Sequence, residues 1–262
     1  MMKFAIPLAF AALFATTASA HAGVISDLGN TGYWGGNDHH YGDVIGGAMY
    51  DVKGATVTRA GSKLTVSIDT SFAGHAGSDT WAAAKGIGYG DVFLAANWNP
   101  FGTDAHHVND NAATGTKWSY GLNLDNRWSN TGGTFTLYEL NGATNAANVL
   151  MSQNFLTCAL GTQCYYRDGQ ATAVNTASKT VRNTGMTGTW TVSADKALLF
   201  NINIGGSALA GFGDIALHWG ETCQNDVLEG YTDVPEPATP ALVGLALAGL
   251  ALRRKARTSA KA

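Results

Sequence analysis

The sequence predicts an all-β protein, an antiparallel β-sandwich or jelly roll, on three observations. Apolar residues recur with a period of two. The chain holds 33 Gly among abundant Thr and Asn. Between its two ends there is no long segment with a 3.6-residue period.

The clearest strands come first. Leu64, Val66 and Ile68 alternate with Thr65, Ser67 and Asp69, as expected of a strand with one face in a core and one in water. Residues 55–59 precede this run, and Ala60-Gly61-Ser62 between them reads as a hairpin turn. Phe135 and Leu137 alternate with Thr, with Leu140 beyond, and Trp190 and Val192 alternate with Thr189 and Thr191. Trp190 is therefore expected in the core. Runs at 91–95, 117–124, 197–204 and 214–219 bring the expected total to roughly eight to ten strands. Residues 80–85 are expected as a short helix, and 141–148 as a loop.

The two ends differ in kind from this body. Lys3 precedes an apolar run from Phe4 to Phe14, and Ala18-Ser19-Ala20 supplies the small residues that a signal peptidase reads. At the other end stands Val234-Pro235-Glu236-Pro237-Ala238-Thr239-Pro240, then an apolar run to Leu252, then Arg253, Arg254, Lys255 and Arg257. The prolines hold their segment extended, so helix is expected only after Pro240. The apolar run falls short of the ~20 residues that span a bilayer comfortably. The basic cluster behind it stays on the cytoplasmic side, which places the body outside. Three parts are thus expected: a signal peptide over residues 1–20, a β-sandwich ectodomain over 21–233, and a sorting tail over 234–262 with a short transmembrane helix.

The order Val-Pro-Glu-Pro, short Leu/Gly/Ala helix and Arg-rich end resembles the PEP-CTERM sorting signal of exosortase substrates in Gram-negative bacteria. The resemblance covers residues 234–257. It implies recognition of Pro235, Glu236 and Pro237 by a membrane-embedded cysteine protease, with Arg253, Arg254 and Lys255 as the basic end. It also implies removal of the helix after a transient stay in the inner membrane, and transfer of the body to the cell surface or extracellular matrix. Pro240 and residues 258–262 depart slightly from the pattern. Family context implies association with exopolysaccharide or biofilm. Residues 218–230 loosely resemble the segment before the sorting signal in other such proteins, which assigns no catalytic residue.

Without its two ends, the body carries ten basic against eighteen acidic side chains, a net charge of about −8. Nucleic acid and anionic lipid are poor partners for such a surface, because phosphate recognition needs clustered Lys and Arg.

Catalytic signatures are missing. Gly205-Gly-Ser207-Ala-Leu209 fails as a nucleophile elbow, and there is no His-Glu-x-x-His and no phosphate-binding glycine loop. Glycoside hydrolysis needs two flanking carboxylates, and the only Glu in the body are Glu139, Glu221 and Glu229. No catalytic residue is assigned and a non-enzymatic protein is expected, with a glycan-active enzyme using paired Asp as the most remote alternative.

Among ligand-binding residues, Trp34 and Trp98 stand out. Their neighbours, Gly35-Gly36-Asn37-Asp38 and Asn99-Pro100, read as loops, where exposed rings could stack on a sugar. Tyr33, Tyr41, Tyr89, Phe101 and Trp128 belong to the same aromatic set, whose alternative fate is core packing. A carbohydrate-binding module is therefore the second reading, with calcium as an optional support. Gly42-Asp43, Gly90-Asp91 and Gly213-Asp214 each precede an apolar run. Such pairs are strand-entry turns by default, and a structural Ca²⁺ stays open without an assigned ligand set. His39-His40 and His106-His107 read as solvated loop residues, and His218 as a packed or hydrogen-bonded histidine. In an oxidising compartment, Cys158 and Cys164 form the first choice of disulfide, leaving Cys223 over.

Overall fold

A computed structural model describes residues 21–27, 44, 47–100, 113–158, 166–167, 169–234 and 249–250. Ala20–Glu236 make one compact unit, and Met1–Ser19 with Pro237–Ala262 make another, of which residues 249 and 250 are helical.

The body is all-β. Its strands are β1 (His21–Ser26), β2 (Val52–Ala60), β3 (Lys63–Thr70), β4 (Val92–Ala95), β5 (Tyr120–Leu124), β6 (Gly132–Leu140), β7 (Val149–Met151), β8 (Ala171–Val174), β9 (Val181–Val192), β10 (Ala197–Asn203), β11 (Asp214–Gly220) and β12 (Val227–Asp233). Ten of them form a single sheet in the order β1-β2-β3-β10-β9-β6-β5-β4-β11-β12, while β7 and β8 pair separately. Every pairing is antiparallel. The two edge strands, β1 and β12, pack against each other, so the sheet curls round its core and comes close to closing into a barrel. The approach is tight. A Cβ at Gly23 would collide with the Thr232 side chain and the Asp233 carbonyl, so only glycine lets β1 lie there. Near closure also covers the backbone edges that would otherwise invite another chain.

The enclosed core follows the predicted alternation. Leu64, Val66 and Ile68 of β3, Phe135 and Leu137 of β6, Trp190 of β9 and Phe200 of β10 all point inward and are buried. Trp190 stacks on Phe200 with ring centroids 6.2 Å apart, and Tyr89 meets it edge-on at 5.4 Å. The β2–β3 hairpin turns through Gly61-Ser62 as expected. Residues 80–85 form successive turns rather than the expected helix, because their polar groups are drawn into other bonds. The Asp79 carbonyl accepts from Ala82 N–H, and the Ala82 carbonyl accepts from Thr157 N–H at 2.8 Å.

A second, smaller core lies on the outer face of the sheet. In β4, Val92 and Leu94 face the enclosed core, whereas Phe93 and Ala95 face outward and are equally buried. In β11, Ile215, Leu217 and Trp219 face in while Ala216 and His218 face out. The β7–β8 pair and Trp118 cover this patch together with Leu140, Val149 and Val174. Gly121 makes room for the cover, since a Cβ there would strike the Val174 side chain.

Candidate functional site

The outer face of β11 and β12 is where polar chemistry gathers. His218 lies opposite Glu229 in the β11–β12 register, with Ala216 opposite Tyr231 and Asp214 opposite Asp233. Alternate residues share a face, so these six side chains form a double row. The row runs from fully buried at His218 and Glu229 to exposed at Tyr231, Asp214 and Asp233.

At its buried end, Glu229 Oε2 lies 3.0 Å from His218 Nδ1, and His218 Nε2 lies 2.7 Å from the Ala171 carbonyl of β8. A carbonyl only accepts, so Nε2 carries a proton. The second proton is shared between Nδ1 and Oε2, and the pair is neutral whichever atom holds it. Phe93 and Trp118 flank the imidazole with centroids 6.0 and 5.6 Å away. The other carboxylate oxygen, Oε1, accepts from Trp98 Nε1 at 3.1 Å and from the Thr116 hydroxyl at 3.4 Å. Thr116 Oγ1 in turn accepts from Asn99 N–H at 3.0 Å. The segment bearing Trp98 is thereby tied to the sheet through one buried acid.

At the exposed end, the Trp98 ring meets Tyr231 with centroids 5.4 Å apart and planes tilted by 31°. Tyr231 is 57% exposed. The two rings line a surface cleft of about 200 Å³ with Ala96, Asn97 and Asp214. This is smaller than the ~300–1,000 Å³ of a drug-sized pocket and suits a single ring-sized group resting on aromatic faces.

Of the two aromatics singled out in the sequence, Trp98 lies at this corner. The others of the aromatic set divide. Tyr89 is fully buried against Phe72 and Trp190, a core residue. The Trp128 indole donates to the Gly86 carbonyl and lies under Lys85, whose Nζ is 4.8 Å from the ring. Trp34, Tyr33, Tyr41 and Phe101 lie outside the described residues, as do His39, His40, His106 and His107. Tyr231 was missed, although Glu229-Gly-Tyr231-Thr-Asp233 alternates and places an aromatic between two acids on one face.

A second polar region is the turn between β11 and β12. All of residues 221–226 are buried, packed against 88–90 by bonds such as Thr222 N–H to the Gly88 carbonyl at 2.8 Å. No donor meets either oxygen of the Glu221 carboxyl in good hydrogen-bond geometry, although the Glu221 and Asp226 amides lie close enough to act on it. Burial pushes this carboxyl up to about 8, against smaller lowering effects of the Glu221 and Asp226 amides and Arg167. Burial thus favours the neutral form of this acid. Burial likewise raises the Cys223 thiol well above its usual range, with Glu221 adding to the effect. Tyr50, whose hydroxyl donates to Asp79, is raised first by burial and then by Cys223.

Of the Gly-Asp pairs, Asp91 is resolved as structural. It accepts from Leu124 N–H at 3.0 Å, Val174 N–H at 2.8 Å, Asn123 Nδ2 at 2.8 Å and Arg127 Nη2 at 3.1 Å. Its lone pairs are thus engaged by four donors, and it fixes β8 to the sheet instead of binding only its own turn. Asp43 lies outside the described residues. Among the described residues no group of three or more His, Cys, Asp or Glu side chains converges to hold a metal.

Cys158 is disulfide-bonded and Cys223 is free and buried; Cys164 lies outside the described residues. Pro235, Glu236, Pro237, Arg253, Arg254 and Lys255 also lie outside them. The handover to the tail is visible: β12 ends at Asp233, and Val234 is buried with its N–H donating to the Gly213 carbonyl at 2.8 Å. Among the described residues no helix is long and apolar enough to cross a membrane.

No curated protein and no solved structure matches the chain. Residues 233–255, however, match the PEP-CTERM protein-sorting motif, beginning at the last residue of β12. The chain accordingly carries a PEP-CTERM sorting motif at its tail, and that motif implies export and processing by an exosortase.

Proposed function

We propose that this protein is a non-enzymatic component of the cell surface or extracellular matrix that associates with exopolysaccharide. The sorting motif at residues 233–255 carries the reading, since it sends the β body out of the cell. The acidic body, with about −8 net charge, supports a partner other than nucleic acid or anionic lipid. In the producing cell, signal peptidase removes the leader and exosortase acts at the tail. Replacing Pro235 and Pro237 by Ala, or deleting the exosortase, is expected to leave a larger, membrane-retained form on an immunoblot of fractionated cells. Unchanged mass and location would defeat the sorting part of the proposal. Co-sedimentation of the processed protein with the producer's exopolysaccharide tests the other part, and a protein that stays in the supernatant would defeat it.

A second reading, a carbohydrate-binding module, is favoured by the Trp98–Tyr231 corner. Two surface rings at 5.4 Å beside Asn97 and Asp214 offer a stacking face with polar groups at its rim. Saturable sugar binding lost in Tyr231→Ala, with the fold intact, would turn matrix association into lectin-like recognition.

A further inference from the structure

Resting on the carbohydrate-binding reading, we infer that the Trp98–Tyr231 cleft takes a hexosamine unit bearing a free ammonium group, as carried along a de-N-acetylated amino-sugar polysaccharide. The charge of the cleft decides the class. Among the described residues its lining is Ala96, Asn97, Trp98, Asp214 and Tyr231, with a carboxylate and no basic side chain. Asp233, the register partner of Asp214, adds a second exposed carboxylate on the same outer face. A uronate or a sulfated sugar would bring like charge to this rim. An ammonium would meet Asp214 on one side and the electron-rich ring faces on the other, the arrangement that favours a cation over an aromatic surface.

The hydrogen-bond inventory points the same way. Of the donors at the cleft, the indole N–H of Trp98 is already given to Glu229 Oε1 at 3.1 Å, which leaves the neutral Asn97 amide and Tyr231 hydroxyl and no cationic donor among the described residues. Trp98 therefore presents ring rather than donor. Its orientation is set beforehand by the buried acid, itself held by His218 at 3.0 Å, so little ordering cost falls on binding. At longer range, the acidic body draws in a polycation such as a de-acetylated chain. A lysine-rich peptide shares the ammonium chemistry, but lacks the flat C–H face that a pyranose lays on aromatic rings.

The test titrates the purified full-length chain with glucosamine tetramer, N-acetylglucosamine tetramer, galacturonate tetramer and tetralysine. Binding is read by calorimetry and tryptophan fluorescence, and repeated with Asp214→Asn and Tyr231→Ala, two exposed positions that leave the cores untouched. The glucosamine tetramer is expected to bind saturably, about tenfold or more tightly than the acetylated one, with no binding of galacturonate. Asp214→Asn is expected to erase the preference for the free amine, and Tyr231→Ala to abolish binding of both. Equal binding of the two glucosamine oligomers, lost in Tyr231→Ala, would overturn the amino-sugar assignment while the carbohydrate reading survives. Binding of neither would overturn both. Tetralysine binding as tightly as the glucosamine tetramer would overturn it in favour of a basic peptide.

Discussion

Glu221 and Glu229 belong to one hairpin, and both are buried, yet they meet opposite fates. Glu229, on the outer face of β12, accepts from Trp98 and Thr116 and pairs with His218. Glu221, at the start of the buried turn, has no well-formed hydrogen bond on either oxygen and is pushed up to about 8. The difference shows what a buried acid does with and without partners. Supplied with donors, a carboxyl becomes a fixed point from which other groups are hung, here the loop bearing Trp98. Without them it keeps its proton and makes the fold sensitive to pH.

The largest expected effect comes from removing the well-partnered acid. Glu229→Leu would leave His218 Nδ1, Trp98 Nε1 and the Thr116 hydroxyl with no acceptor at those positions. Breaking one side of a buried pair costs about 3–5 kcal/mol, and a loss of that size is expected in urea unfolding. Near-UV circular dichroism should change as well, because the Trp98 ring loses its tether. A loss below about 1 kcal/mol would mean that the polar cluster merely fills space.

The unpartnered acid predicts a pH effect of opposite character to ordinary acid denaturation. Its carboxyl is pushed up to about 8 in the folded state, against the ordinary glutamate value of 4.5 when unfolded. Between those values the folded state holds a proton that the unfolded state has released. Stability from this group is thus fully present below about pH 4.5 and is lost as pH rises through about 8. The slope reaches at most ~1.4 kcal/mol per pH unit in that window. Unfolding temperatures measured from pH 5 to 8 are expected to fall, and Glu221→Gln, which mimics the neutral acid, is expected to flatten the decline. A wild type and variant with parallel profiles would show that Glu221 is ionised inside the fold.

How far this contrast was legible in the sequence depends on the periodicity. Strands buried on one face announced themselves, as Leu64, Val66, Ile68, Trp190 and Val192 show. Strands buried on both faces were recognisable as strands, and the unbroken apolar run Val92-Phe93-Leu94-Ala95 is the mark of double-sided burial, but nothing in it says what covers the second face. The covering β7–β8 pair is too short to leave a periodic signal, at three and four residues. Trp98 was legible as a loop aromatic, whereas its anchoring by Glu229 depends on contacts between residues 131 apart in the chain. Glu221 and Glu229 look alike in sequence, since neither the face they point to nor the donors they meet is local information.

A smaller effect separates Thr116 from the acid it serves. The Thr116 hydroxyl donates weakly to Glu229, at 3.4 Å, and accepts from Asn99 N–H, at 3.0 Å. Thr116→Val keeps the shape and removes both bonds, so a cost of about 1–2 kcal/mol is expected in urea unfolding, below that of Glu229→Leu. A cost as large as that of Glu229→Leu would make the hydroxyl, not the carboxylate, the fixed point of the loop.

Tyr231→Ala should have the smallest effect on stability and the sharpest on function. The ring is 57% exposed, and its described contact is with Trp98. Surface substitutions of this kind usually stay within about 0.5 kcal/mol, so the unfolding midpoint should barely move. The Trp98 ring remains held from below by Glu229, so its fluorescence should change by the loss of a neighbour and not by a loss of order. Oligosaccharide binding at the cleft should nonetheless disappear, because half of the stacking corner is gone. That separation is the signature of a preorganised site: the part that orders it is buried in the hairpin, and the part that meets the ligand contributes little to the fold. A large drop in the unfolding midpoint on Tyr231→Ala would place the ring among the residues that hold β12 down, and the stacking corner would then be core packing at the edge of the sheet.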